Sequence, residues 1–129
     1  MYAQPYTDAV RRTDGMGFTP HELRVLAATL HLESEGNASI KGADLWQWLQ
    51  HHEQRGPSAA TVYRALRRLT TEEGLFVARE EADTYLGGKP RVYYALTDAG
   101  RAAARDAWAA LAARKDAEGI TWLRLRPAD

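Results

Sequence analysis

The sequence predicts a mostly helical α+β fold, and three stretches carry that prediction. Gly56 to Leu75, G-P-S-A-A-T-V-Y-R-A-L-R-R-L-T-T-E-E-G-L, has the period of an amphipathic helix. Leu75 to Ala78 and Arg91 to Leu96 are rich in β-branched and aromatic residues, with the turn-forming Leu86-Gly87-Gly88-Lys89-Pro90 between them. Ala99 to Ala117 is a long segment dominated by alanine. The period thus changes from helix to strand and back to helix.

The first of these stretches organises the rest. Ser58 is placed to cap a helix start, its hydroxyl accepting from a free N–H of the first turn. Ala59, Val62, Ala65, Leu66 and Leu69 then fall on one side, and Ala60, Thr61, Arg64, Arg67 and Arg68 on the other. No Asp or Glu lies between Arg55 and Thr71, although acids and bases balance at 17 each over the chain. A first turn without carboxylate leaves the positive helix end open to an anion, and small Ala59 and Ala60 allow close approach. Phosphate is the expected partner.

At 129 residues the chain predicts one domain with one modest core. It contains no cysteine, which excludes disulfides and thiolate metal sites, and no apolar run approaches a membrane span. The N-terminus has no charged segment followed by an apolar one, so a cytoplasmic protein is expected. A net charge of zero argues for locally placed charge rather than a general polycation. Fourteen of the 17 basic residues are arginine, the side chain suited to bidentate phosphate or guanine recognition.

In chain order, residues 1–18 lack periodicity and read as a flexible arm. Thr19-Pro20-His21-Glu22 predicts a capped helix start, with Glu22 reaching back as a capping box, and the helix runs to about Glu35. Leu23, Leu26, Ala27 and Leu30 lie on one side of it, and Val25, Ala28 and Leu32 nearly opposite. A helix apolar on both sides needs cover on both, from its own domain or from a second subunit. Ser39-Ile40 reads as a very short strand. A second helix runs from Lys41 to about His52, with Leu45, Trp48, Leu49 and His52 inward and Trp46 on the flank.

This second helix, the short turn to Gly56 and the basic helix make a helix-turn-helix, and a hairpin directly after it is a wing. Thr97 caps the last helix, with Ala104, Ala107, Trp108 and Leu111 on one stripe. The apolar alternation of Ile120 to Leu125 predicts a tail that docks on something.

The motifs G-P-S-A-A-T-V-Y-R-A-L-R-R-L, E-E-G-L and G-K-P-R-V-Y-Y-A-L-T-D-A-G-R resemble those of the PadR-like winged-helix transcriptional regulators, over roughly Thr19 to Ala113. The resemblance implies a homodimeric repressor of double-stranded DNA, often controlled by a small aromatic effector. It implies a winged helix-turn-helix domain over 19–97 and a C-terminal dimerisation helix and tail over 98–129. The last helix would pack against the partner's first, placing Val25, Leu32, Ala104, Trp108 and Leu111 on the seam. Ser58, Thr61, Tyr63 and Arg64 would approach DNA from the basic helix, and Lys89 and Arg91 from the wing. Two features depart from the family pattern. Arg64 stands where proline commonly follows the tyrosine, and only 32 residues follow Thr97, little chain for a large ligand pocket.

The expected interface is therefore Ser58, Ala60, Thr61, Tyr63, Arg64, Arg67, Arg68, Lys89 and Arg91. Arg64 and Arg68 would reach base edges, while Tyr63, Arg67, Lys89 and Arg91 would anchor phosphates. A second reading has the arginine face meet an acidic protein. A third makes Trp46, Trp108 and Trp122 the walls of a small-molecule site, or His51-His52-Glu53 a source of metal ligands. Neighbouring positions on a helix diverge by about 100°, which disfavours the metal. No nucleophile with its base and no catalytic carboxylate pair stands out, so neither catalysis nor a cofactor is expected.

Overall fold

The computed structural model describes residues 17–53, 55–82, 90–113 and 122. Four helices and a small sheet follow in the order α1 (Pro20–Ser34), β1 (Ile40–Lys41), α2 (Gly42–His52), α3 (Ala59–Thr71), β2 (Phe76–Glu81), β3 (Arg91–Leu96) and α4 (Asp98–Ala112). The sheet is antiparallel in the order β1-β3-β2, with Ile40 opposite Tyr94 and Phe76 opposite Leu96. This is a winged helix-turn-helix with one further helix.

The helices start where local chemistry places them. Thr19 Oγ1 accepts from the Glu22 amide at 3.2 Å and Glu22 Oε1 accepts from the Thr19 amide at 3.0 Å, so two orphan N–H groups of α1 are satisfied reciprocally. Ser58 Oγ accepts from the Thr61 amide to open α3, and Thr97 Oγ1 accepts from the Gly100 amide to open α4. Between α2 and α3, the Trp46 indole and the Gln50 amide both donate to the Pro57 carbonyl. Gly100 is required by proximity, since a Cβ there would strike the Leu75 carbonyl.

α1 is the centre of the core. Every residue from Glu22 to Leu32 except Arg24 is buried, and the helix packs against α4, α3 and α2 of its own chain. Its two apolar sides are thus both covered in cis. Val25, Leu32, Ala104, Trp108 and Leu111, expected on a subunit seam, all lie within this chain's core, none more than 9% exposed. Alanine at 104 and 107 lets α4 come close to α1, and Arg101 fastens the pair by donating to Glu33 Oε1 at 2.9 Å.

Trp122, the described residue of the tail, is only 1% exposed. Its ring meets those of Trp48 and Trp108 edge-on, with centroids 5.4 and 5.3 Å away. Trp48 in turn stacks on His52 at 4.2 Å. Trp108 and Trp122, expected as walls of a small-molecule site, are here packed against each other. Among the described residues no helix is long and apolar enough to cross a membrane.

Candidate nucleic-acid interface

α3 buries Val62, Ala65, Leu66 and Leu69 and turns its other side outward. Its first turn contains no acid. Ser58 and Ala60 are exposed and Thr61 half-buried, with the Ser58 and Thr61 hydroxyls 2.9 Å apart. Ser58 is committed to capping through its hydroxyl, yet it stands beside the open end of the helix. The result is a small, hydroxyl-bearing, positively polarised surface at the start of α3.

Tyr63, Arg64 and Arg67 continue this surface. Both arginines are exposed, and among the described residues no carboxylate forms an ion pair with either. Tyr63 is 43% exposed, a large value for an aromatic ring. Its position is fixed from below by Gly42, where a Cβ would collide with Cε1 of the ring. Tyr63 is therefore packed on one edge and open on the other. Tyr94 lies near it: burial raises the Tyr94 phenol above its ordinary range, Tyr63 adds to that, and Arg67 opposes it.

Arg68 departs from the expected row of three open guanidiniums. Its side chain is 16% exposed and faces Glu22, Glu73 and Glu72. Nε and Nη2 donate to the two oxygens of Glu22, the latter at 2.8 Å, and Nη1 donates to Glu73 Oε2 at 2.7 Å. These hydrogen bonds, Glu22 first, raise its already high pKa, against the effect of burial. The stretch around it in sequence is free of acid, but α1 and the exit of α3 supply three carboxylates. Arg68 is consequently not among the side chains this face offers outward.

In the wing, β2 is an edge strand and exposed from Val77 to Glu81. Arg91 is exposed and lies opposite Glu81, while Arg79 pairs with Glu81 at 3.1 Å and lies over the Tyr93 ring. Lys89, the other expected wing contact, falls outside the described residues. Among the described residues no group of three His, Asp or Glu is placed to hold a metal ion, His51, His52 and Glu53 included.

The structure thus brings Ser58, Ala60, Thr61, Tyr63, Arg64 and Arg67 onto one surface of α3 and turns Arg68 away from it. Gly42 and Glu22, which shape that surface from neighbouring helices, have no signature in the sequence of α3 itself. Glu22 is 46 positions from Arg68 and Gly42 carries no side chain.

Comparison with curated proteins finds no match of significance. The profile of the transcriptional regulator PadR-like family matches residues 30–106, from within α1 through the wing and into α4. The match spans more than half of the chain and coincides with the helix-turn-helix and wing just described; the chain belongs to the PadR-like family of DNA-binding transcriptional regulators.

Proposed function

We propose that the protein is a repressor that binds a pseudo-palindromic operator as a homodimer, with one α3 in each of two successive major grooves about 34 Å apart. The observation that carries this reading is the surface of α3, where an acid-free first turn and two arginines without carboxylate partners among the described residues face outward together. Arg64 reads a base edge, a bidentate arginine–guanine pair being worth roughly 1–3 kcal/mol of discrimination. Ser58, Ala60 and Thr61 let the backbone approach, while Tyr63 and Arg67 hold phosphates, and Lys89 and Arg91 do so from the wing.

Since the five core residues of α1 and α4 are occupied within the subunit, the seam of the dimer runs along the outer side of α4, where Ala102, Ala109 and Ala112 are exposed. A small aromatic effector would reach the walls of Trp48 and Trp108 by displacing Trp122. The reading assigns no enzymatic activity and places the protein with its target in the cytoplasm.

Titrating salt against binding to random duplex DNA tests the proposal. The logarithm of the binding constant should fall linearly with that of salt, with a slope of about −0.9 per phosphate engaged. Binding insensitive to salt would favour the acidic-protein partner instead. A band shift with the DNA upstream of the protein's own gene then tests sequence preference.

A further inference from the structure

Glu22 serves two elements with one carboxylate. Oε1 accepts both the Thr19 amide that begins α1 and Nη2 of Arg68 on α3, and Oε2 accepts Arg68 Nε. Glu73, just past the end of α3, takes Nη1, and the Phe18 ring lies 6.0 Å from the guanidinium carbon. Both ends of the Glu22–Arg68 contact are largely removed from water, at 7% and 16% side-chain exposure. A bidentate arginine–carboxylate pair fixes orientation as well as distance.

Arg68 lies one residue after Arg67 and four after Arg64, so all three turn together when α3 rotates about its axis. Holding the Arg68 fork therefore sets the roll of the helix and the direction in which Arg64 and Arg67 point. We propose that Glu22 and Arg68 are positioning residues for DNA recognition, locking α3 to the first turn of α1 without touching the nucleic acid themselves. The inference rests on the reading that the surface of α3 binds DNA.

Its consequence has an unusual sign. Glu22→Gln removes a negative charge near a surface meant for phosphate, and simple electrostatics would make the variant bind DNA more tightly. Loss of a positioning contact makes it bind more weakly. Arg68→Lys keeps the charge and leaves the Thr19–Glu22 box intact, but cannot form the fork. If Arg68 were a phosphate contact, lysine would largely replace it.

The experiment measures binding of wild type, Glu22→Gln, Arg68→Lys and Arg67→Ala to the duplex upstream of the protein's own gene over a range of salt. Circular dichroism establishes a temperature at which the proteins are folded, and Arg68→Lys, the milder change, decides the question if Glu22→Gln does not fold. Expected are roughly tenfold weaker binding for Glu22→Gln and Arg68→Lys with the wild-type salt slope, and a slope reduced by about 0.9 for Arg67→Ala. Glu22→Gln binding as tightly as wild type or tighter, or Arg68→Lys keeping its affinity, overturns the positioning role alone. Failure of wild type to bind any duplex overturns the proposed function, and the positioning role with it.

Discussion

The indole N–H of Trp122 donates to Oε2 of Glu53 at 2.8 Å, across 69 positions of sequence. The contact joins the tail to the C-terminal end of α2, immediately before the turn into α3. Trp122→Ala removes a fully buried ring and leaves Glu53 without its donor, at a cost of about 3–5 kcal/mol. Urea unfolding measures this. A change within about 0.5 kcal/mol would mean that the tail is not seated on the core.

Glu53 also makes stability depend on pH. Burial raises its carboxyl above the ordinary value of 4.5, while the Trp122 hydrogen bond and Arg24 pull it down. A group with a raised folded-state pKa favours the fold most below its unfolded pKa, and that contribution is lost as pH rises through the folded value. Wild type should therefore lose stability relative to Glu53→Gln as pH rises from about 4.5, the glutamine still accepting from Trp122. Paired thermal melts across pH follow the difference, and a difference constant with pH contradicts the account.

Gly42→Ala drives a methyl into the Tyr63 ring. At so short a distance from the ring something must shift, and an overpacked position of this kind costs about 1–3 kcal/mol. Duplex binding should weaken beyond what Tyr63→Phe alone causes. Equal binding by Gly42→Ala and wild type would separate Tyr63 from the interface.

Arg64→Ala and Lys89→Ala should fail differently. The first relaxes sequence preference by roughly 1–3 kcal/mol, whereas the second weakens specific and random duplex alike and lowers the salt slope by about 0.9. Parallel titrations on the two DNAs distinguish them.

Leu111→Ala distinguishes a core residue from a seam residue. At 1% exposure within the single chain, truncation should cost about 2–5 kcal/mol of unfolding free energy. Sedimentation should show the same association state as wild type at temperatures where the variant is folded. Dissociation of a folded variant would return Leu111 to the intersubunit surface.

Three of the four helix starts were legible in sequence because each depends on residues three apart: Thr19 with Glu22, Ser58 with Thr61, Thr97 with Gly100. β3 was legible with its bounds, Arg91–Leu96, whereas β1 and β2 were legible in position but not in extent. β2 runs on to Glu81 because an exposed edge strand tolerates Arg79, Glu80 and Glu81 without any hydrophobic alternation to mark them. Exposure of Arg64 and Arg67 followed from the wheel, but the covering of Arg68 did not, because its partner Glu22 arrives from another helix. The apolar sides of α1 likewise admit cover from one chain or two. Periodicity measures how much surface must be hidden, not which molecule hides it.

The Thr97 hydroxyl donates to the Gly74 carbonyl while accepting from the Gly100 amide, each at 3.0 Å. One hydroxyl therefore links the segment just after α3 to the first turn of α4. A change that removes that hydroxyl takes the cap from α4 and the donor from the Gly74 carbonyl at once.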